Sequence, residues 1–284
     1  METLKSKTNP MGISGNYVSS LRRPGMKDFE IGRPVGRGSF GQVYLARTRL
    51  EKYPMVLKCL SIKQLVEWGM LTQLRREIDI HATLNHPQII KLYAWFDDVD
   101  KIVLALEWAF VGDMFHSLRK EGKFSEVKSS VYLRQVVSAL DYCHGLNVTH
   151  RDIKPENVMI FSDWECKIGD FGWSKLNTQK LNSTMCGTME YMALELVENT
   201  GLYDKTVDNW ACGILLYEML HGESPFVPAG TDEERRNFQQ LIYKLSTNIT
   251  YDAVKVIRGL LVHKPGERMD LKAILEEPFI TKHI

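Results

Sequence analysis

The sequence has few cysteines, almost no net charge and no long apolar run. Its five cysteines lie far apart and form no Cys-x-x-Cys pair: Cys59, Cys143, Cys166, Cys186 and Cys212. This spacing argues against a zinc site and a disulfide framework, and it favours a reducing intracellular compartment. The 36 basic residues nearly balance the 35 acidic ones, which leaves a formal charge of +1. Neither nucleic acid nor an acidic membrane surface is therefore expected as the main partner.

Segments that direct a chain to or across a membrane are also missing. No N-terminal apolar run resembles a signal peptide, and no uncharged segment is long enough to span a bilayer. The Asn-x-Thr sequences at Asn147, Asn182 and Asn248 are accordingly interpreted as accidental rather than as glycosylation sites. Residues 1–27 are rich in small and polar residues without an apolar period, so they are predicted to be a flexible lead-in.

The most informative stretch runs from residue 150 to residue 157, and it is followed by Asp-Phe-Gly at residues 170–172. Phosphoryl transfer from a nucleotide needs a carboxylate that orients the attacking hydroxyl, oxygen ligands for Mg²⁺, and fixed positive charge near the transferred phosphate. The two stretches supply side chains suited to all three roles. Asp152 is the candidate carboxylate, Asn157 and Asp170 are the candidate oxygen ligands for Mg²⁺, and Lys154 supplies the positive charge.

A glycine-rich hairpin is predicted near residues 29–45, where two β-type segments flank Gly36-Arg-Gly38-Ser-Phe40-Gly41. Glycines let backbone amides approach phosphate oxygens, and Phe40 at the tip can shield a site from water. A dinucleotide-binding fold would need a helix after the third glycine, and a Walker loop would need Gly-Lys-Ser/Thr; neither follows here. The pattern favours a β-hairpin over nucleotide phosphates.

The order of these motifs along the chain resembles that of eukaryotic protein kinases. The resemblance implies an α+β, bilobal eukaryotic protein kinase fold, with a small, mainly antiparallel β lobe that carries one long helix and a larger, mainly α-helical lobe. We expect the kinase domain over residues 28–281, divided into a small lobe (28–107), a hinge (108–111) and a large lobe (112–281). Met114, Phe115 and Leu118 are expected to be core residues of the large lobe.

The same resemblance implies a nucleotide site. Lys58, at the end of a short apolar strand, would bind the α and β phosphates, and Glu77, on a helix predicted over residues 63–84, would be its ion-pair partner. The alternative for Glu77 is a solvated charged helix face. His81 lies where most kinases have an apolar residue, so this helix is expected to be held loosely unless a partner braces it. The predicted ATP-binding residues are Gly36, Gly38, Ser39, Phe40, Gly41, Val43, Val56, Lys58, Leu106, Glu107, Ala109, Asn157 and Asp170.

Three groups of residues narrow the resemblance to the Aurora kinases. The motifs are Trp173-Ser174, Thr184-Met-Cys-Gly-Thr188, and Gln73-Leu-Arg-Arg-Glu77 with Leu84-x-His86-Pro87-x-Ile89. The resemblance implies that Thr184 is an activating phosphosite whose phosphate is clamped by Arg151 and Arg76. The alternative is that Ser183 and Thr184 are ordinary loop hydroxyls. Aurora kinases place arginines immediately before this threonine, whereas Leu181-Asn182-Ser183 precede it here.

Other residues are expected to bind the protein substrate or to stabilise the structure around the catalytic loop. Thr188, by resemblance, belongs to the loop that receives the residue after the phosphoacceptor. The negative charges of Glu156 and Asp113 favour basic residues N-terminal to the acceptor. The resemblance also implies that Asp208 braces the backbone of the catalytic loop, and that Glu195 and Arg268 form a buried ion pair.

The sequence thus predicts a kinase that transfers the γ-phosphate of ATP, with Mg²⁺, to Ser or Thr of protein substrates. By resemblance alone, a monomer is expected with a role in mitosis and chromosome segregation, in the cytoplasm and nucleus, at centrosome, spindle or chromosomes. An activating peptide segment on the small lobe is also implied by resemblance. Two alternatives are a catalytically weak or partner-dependent scaffold and a small-molecule phosphotransferase. The complete set of catalytic residues argues against the first, and residues 184–195 argue against the second.

Overall fold

The structure is a computed structural model that describes residues 24–38, 41–172, 174–176, 189–197, 203–227 and 230–283. Several predicted features lie outside these residues: most of the lead-in (1–23), together with Ser39, Phe40, Thr184 and Thr188. The described residues form two compact units. One extends to Glu67 and includes Tyr93–Trp108, and the other contains Trp68–Leu92 and the residues from Ala109 onwards. The lobe boundaries remain a prediction.

The first unit is built on a five-stranded sheet with the order β1-β2-β3-β5-β4. The pairs β1–β2, β2–β3 and β3–β5 are antiparallel. Parallel rings of Phe29 and Phe96, with centroids 5.7 Å apart, lie in its apolar core. The strands are β1 (Phe29–Gly38), β2 (Gly41–Thr48), β3 (Pro54–Ser61), β4 (Leu92–Asp98) and β5 (Lys101–Leu106), and helix α1 (Ile62–Glu67) follows β3.

Strands β1 and β2 form the hairpin that the glycine pattern predicts. Gly38 pairs with Gly41 at its closed end. A Cβ atom on Gly41 would lie 1.8 Å from the carbonyl oxygen of Cys59 on β3. Only glycine therefore allows β2 to approach β3 this closely.

The single helix predicted over residues 63–84 is wrong in its continuity. The chain forms α1 and then, after a break, α2 (Leu71–His81). Gly69 in the break has φ +65°, a left-handed conformation that glycine adopts without steric cost and that ends a right-handed helix. Helix α2 clusters with the second unit.

The second unit is mainly helical and carries two small sheets, with strand orders β6-β8-β9 and β10-β7. Its core surrounds α4 and α6, and α6 is buried along most of its length. After α2, its elements are β6 (Gly112–Asp113), α3 (Met114–Glu121), α4 (Glu126–Gly145), β7 (Val148–Thr149), β8 (Val158–Ser162), β9 (Glu165–Ile168), β10 (Lys175–Leu176), α5 (Leu194–Val197), α6 (Thr206–His221), α7 (Asp232–Gln239), α8 (Tyr251–Leu260), α9 (Leu271–Glu276) and α10 (Pro278–Thr281).

The predicted α+β class agrees with the structure, which has a sheet unit and a mainly helical unit. Met114 and Leu118 are buried as predicted, but Phe115 is only half-buried, with the guanidinium of Arg119 5.1 Å from its ring centroid. The cysteines in the described residues are free and buried. No helix in the described ranges is both long and apolar enough for a bilayer crossing.

Candidate active site

The loop between β7 and β8 brings together three of the predicted catalytic side chains. Asp152 is 5% exposed, and its carboxylate lies 3.0 Å from the ammonium of Lys154. The side-chain amide of Asn157 donates to the backbone oxygen of Asp152 at 2.7 Å and to its carboxylate at 2.8 Å. Because these bonds use the amide nitrogen, the side-chain oxygen of Asn157 is the atom that can bind a metal ion.

Asp208, at the start of α6, braces the backbone of this loop. Its buried carboxylate accepts hydrogen bonds from the backbone amides of His150 at 2.9 Å and Arg151 at 2.8 Å, and it lies 2.7 Å from Nε2 of His144. Arg151 has φ +69°, an unfavourable conformation for a residue with a side chain, which these bonds stabilise. The predicted bracing role of Asp208 is confirmed.

The charge of Asp208 depends on the same contacts. Burial by itself disfavours ionisation, but the hydrogen bond and charge of His144, together with His150 and the amide of Arg151, hold the pKa of Asp208 below its ordinary value. The loop is therefore anchored on a fixed negative charge.

The Asp170–Gly172 segment lies directly beside the loop. The backbone amide of Gly169 donates to the carbonyl oxygen of Asn157 at 2.8 Å, and Nε2 of His150 lies 3.0 Å from the carbonyl oxygen of Gly169. Asp170 has φ +54°, a second strained position in this region. These contacts bring Asn157 and Asp170 onto neighbouring segments.

An amide oxygen and a carboxylate suit Mg²⁺. This ion binds oxygen ligands and usually takes only one or two carboxylates from the protein, with water and substrate phosphates completing its octahedron. The donors of Asn157 and Asp170 fit that pattern.

Helix α2 contributes Glu77 to the same region. Glu77 is 9% exposed, and its Oε2 lies 3.3 Å from the position that a Cβ atom on Gly172 would take. Phe171 is fully buried, with its ring centroid 4.9 Å from that of His81 and 4.8 Å from that of His150. Arg76, on the same helix, is exposed.

The predicted nucleotide residues of the first unit lie on adjacent strands of its sheet. Gly36 pairs with Val43, Val43 pairs with Lys58, and Val56 pairs with Leu106. The prediction that Lys58 ends its strand is wrong, because β3 continues to Ser61. Gly38 and Gly41 close the hairpin, Glu107 follows β5, and Ala109 belongs to the second unit.

Two of the residues predicted to contact a phosphate or a substrate, Arg151 and Asp113, have other contacts in this structure. Arg151 donates to the hydroxyl of Tyr203 at 2.5 Å. The carboxylate of Asp113 caps α3 by accepting from the backbone amide of His116 at 2.8 Å, and it also contacts the ring nitrogen Nδ1 of His116. Glu156 is exposed. Thr184 and Thr188 lie in a segment that the described ranges do not include.

Sequence reasoning missed Glu218 on α6. Its Oε2 is buried and has no hydrogen-bond partner among the described residues, and burial, with the nearby carboxylates of Glu156 and Glu190, raises its pKa to about 7. A buried carboxylate oxygen without a partner is costly and is therefore a candidate for binding a cation. The signal was present in the sequence, because Glu218 is the one charged residue in the apolar run from Ile214 to Leu220.

The predicted ion pair between Glu195 and Arg268 is confirmed. Two nitrogens of the guanidinium donate to the two carboxylate oxygens at 2.7 and 2.6 Å. Arg268 also donates to the carbonyl oxygens of Thr206 and Val262, and its charge lies 5.1 Å from the ring centroid of Trp210. This bidentate pair connects α5 with the start of α6 and with the turn before α9.

Comparison with known proteins agrees with this arrangement. The chain matches the protein kinase domain family over residues 29–280. It is 46% identical over 258 residues to the Aurora kinase of Encephalitozoon cuniculi, covering 90% of this chain and 94% of that protein. It is 42% identical over 258 residues to Aurora kinase A-A of Xenopus laevis, covering 91% of this chain, and 40% identical over 253 residues to Aurora kinase B of Danio rerio, covering 89%.

The relatives differ in how much further they extend. The chain spans 63% of the length of the Xenopus protein and 79% of that of the Danio protein. Family matches of this kind imply the use of ATP and a divalent metal ion, and protein substrates. From the matched domain and the identities to these relatives, the chain belongs to the protein kinases and, within them, to the Aurora family of serine/threonine kinases.

Proposed function

We propose that Asp152 orients the substrate hydroxyl and accepts its proton while the hydroxyl oxygen attacks the γ-phosphorus of ATP. The bond from that phosphorus to the β–γ bridging oxygen breaks, and ADP leaves with the electron pair. The observation that supports this most strongly is the buried carboxylate of Asp152, held between Lys154 at 3.0 Å and Asn157 at 2.8 Å. Two donors of this kind keep the carboxylate oriented, and Lys154 can stabilise charge on the transferred phosphoryl group.

The remaining residues would bind the nucleotide and its metal ion. Asn157 and Asp170 would bind Mg²⁺, which neutralises charge on the phosphates when it is bound. Lys58 would bind the α and β phosphates, with Glu77 as its partner, and the backbones of Glu107 and Ala109 would bind adenine. Gly36, Gly38, Ser39, Phe40, Gly41, Val43, Val56 and Leu106 would complete the nucleotide site.

An assay with radiolabelled ATP, Mg²⁺ and an arginine-rich serine peptide tests the reaction. The Asp152→Asn variant keeps the shape of the side chain but cannot accept the proton, so kcat is expected to fall about 100-fold or more. Asp163→Asn, in the exposed turn between β8 and β9, is the matched control and should retain full activity. Undiminished phosphate transfer by Asp152→Asn would show that the proposed base is wrong. Normal ATP binding by the wild-type chain without any transfer would favour the scaffold alternative.

Activation is proposed to depend on Thr184. Its phosphate would bind the guanidinium groups of Arg151 and Arg76, and Thr188 would border the acceptor site. Two paired guanidinium groups suit a group with nearly two negative charges. A Thr184→Ala variant is expected to lose most of its activity; full turnover would show that the segment orders without phosphate. An activating peptide on the small lobe and a monomeric state remain proposals, which titration with partner peptides and light scattering would test.

The cellular role is proposed from the family. Proteins named Aurora kinases match most of this chain, so a role in mitosis and chromosome segregation is favoured. The protein would then act inside the cell, in the cytoplasm and nucleus, at the centrosome, spindle or chromosomes. Imaging of the tagged protein through division tests this role; a constant uniform distribution, with normal segregation after depletion, would contradict it.

The substrate is proposed to carry basic residues N-terminal to the acceptor. Glu156, Asp113 and Glu218 would supply the negative charge that favours such a peptide. The strongest support is the buried Oε2 of Glu218, which has no partner within the part of the chain that the structure describes and which a guanidinium or ammonium group would satisfy.

A further inference from the structure

We infer that Gln73 and His81 are positioning residues, which hold helix α2, and with it Glu77, against the Asp170–Gly172 segment. Both would act through Glu77, so their catalytic importance rests on the function proposed above. Neither residue has a task in that proposal.

The first contact lies near the N-terminal end of α2. The side-chain amide of Gln73 donates to the carbonyl oxygen of Gly172 at 2.7 Å. The two residues are 99 positions apart in the chain, so this bond joins the helix directly to the end of the Asp-Phe-Gly motif. Loss of the amide would leave this backbone oxygen without that donor.

The second contact lies at the C-terminal end of the same helix. His81 is 4% exposed, and its Nε2 lies 2.6 Å from the carbonyl oxygen of Ile90. A carbonyl oxygen only accepts, so Nε2 carries the proton. Ile90 in turn connects to the segment that carries Asp170, because its backbone amide donates to the carbonyl oxygen of Ile168 at 2.9 Å. Ile168 lies two residues before Asp170. The ring of His81 also packs on Phe171.

Glu77 lies midway between these two contacts. Gln73, Glu77 and His81 are spaced four residues apart, which places them on one face of a helix. The residues Thr72, Arg75, Arg76 and Asp79 are exposed on the other side. A rotation or withdrawal of α2 would therefore break both hydrogen bonds and move Glu77 away from Gly172 together with them.

This arrangement differs from what the sequence suggested for His81. A polar residue in a position expected to be apolar predicted a loosely held helix. In the structure, the imidazole has a hydrogen-bond acceptor and an aromatic neighbour, so it fastens the helix within its own unit. Contacts within the chain itself thus position Glu77.

Hydrogen exchange of the full chain tests the positions of the two contacts. Gln73→Met and His81→Leu keep the side-chain volume but remove the donor, and each should speed exchange of the amides of residues 71–81 about fivefold, the factor for one neutral hydrogen bond. The double variant should show a larger change, and His81→Gln, which keeps a donor, should restore most of the protection. Asp79→Asn, on the exposed face of the same helix, is the matched control and should change nothing.

Steady-state kinetics provide the second measurement. The double variant should lose at least about fivefold in kcat, with KM for the peptide unchanged, because the substrate site is intact. Unchanged exchange in α2, or an equal increase throughout α4 and α6, would overturn the positioning role. Because exchange does not require phosphate transfer, an inactive wild-type chain would contradict the proposed function without affecting this result.

Discussion

At the scale of single residues, two buried carboxylates on α6 have opposite protonation behaviour. Asp208 has backbone amides and a histidine as partners, which keep its pKa below the ordinary value despite burial. None of the described residues donates a hydrogen bond to the buried Oε2 of Glu218, and burial with nearby acidic side chains raises its pKa to about 7. The first is a fixed structural anion, whereas the second gains a full charge only above neutral pH or when a cation binds.

Replacing Glu218 by Gln should reduce the selectivity of the enzyme for basic peptides. Loss of one charge-assisted contact should lower kcat/KM for a peptide with arginines before the acceptor about ten- to 100-fold. A matched peptide with alanines at those positions should be affected little. The measurement is the ratio of kcat/KM for the two peptides, and Glu223→Gln, exposed just after the end of α6, is the control.

The same carboxylate should make the selectivity of the wild-type enzyme depend on pH. With a pKa of about 7, Glu218 is mostly neutral at pH 6 and mostly ionised at pH 8, so KM for the basic peptide should rise as the pH falls. Glu218→Gln should lack this part of the pH dependence. An identical pH profile in variant and wild type would exclude Glu218 from peptide recognition.

At the scale of helices and strands, some elements could be predicted from local sequence patterns alone. Glycines flanked by alternating residues predicted the β1–β2 hairpin. The break after α1 was missed because Trp68, Met70 and Leu71 flank Gly69 and continue a helical pattern that the backbone does not follow. The partial exposure of Phe115 was missed because apolar spacing cannot tell which flank of a short helix meets solvent.

Asp113 illustrates a role that only the folded element reveals. Its position after the predicted hinge suggested substrate binding, yet its carboxylate caps α3. Asp113→Ala should destabilise the second unit by about 1 kcal/mol, the usual value for a lost N-cap, whereas Asp113→Asn should keep the cap. Urea unfolding measures the first effect, and KM for a basic peptide with Asp113→Asn isolates the charge. Equal stability of wild type and Asp113→Ala would show that the cap is dispensable.

The ion pair between Glu195 and Arg268 should behave as a unit. Arg268→Met removes the bidentate contact to the largely buried carboxylate of Glu195 and should cost about 3–5 kcal/mol. Exchanging both residues for Met removes both charges, so the double variant should recover part of this loss. Urea unfolding of both single variants and the double variant measures the coupling. A double variant that is as unstable as the sum of the single variants would show that the two charges do not interact.

At the scale of the whole chain, motif order was enough to predict the family and the fold class, because phosphoryl transfer constrains which residues must occur and in what sequence. The contacts that support the site were predicted less completely. Asp208 and the Glu195–Arg268 pair came from resemblance. The hydrogen bond of Gln73 joins residues 99 positions apart, that of His81 reaches a backbone oxygen beyond the end of its helix, and neither leaves a local pattern. Glu218 was visible only as a charge in an apolar helix, whose neighbours the sequence cannot identify.

The two α6 carboxylates should also shape the stability of the second unit as a function of pH. The pKa of Asp208 is lowered from 3.8, so its contribution is present above that pH and is lost as the pH falls further. The pKa of Glu218 is raised from 4.5 to about 7, so the folded state is favoured below pH 4.5 and loses this contribution as the pH rises through 7. For these two groups, stability is therefore highest between about pH 4 and 5.

Thermal unfolding of the wild type and of Glu218→Gln between pH 4 and 8 measures this dependence. At pH 8 the variant should be more stable by up to about 3 kcal/mol, because it avoids burying an ionised carboxylate, while at pH 4.5 the two proteins should unfold at the same temperature. Glu223→Gln should follow the wild type throughout. Superimposable curves for Glu218→Gln and wild type at pH 8 would mean that Glu218 is hydrated or paired in solution, and both its raised pKa and its role in peptide selectivity would have to be abandoned. A variant that gains stability while losing selectivity would instead show that the folded chain keeps an unfavourable buried carboxylate because substrate binding uses it.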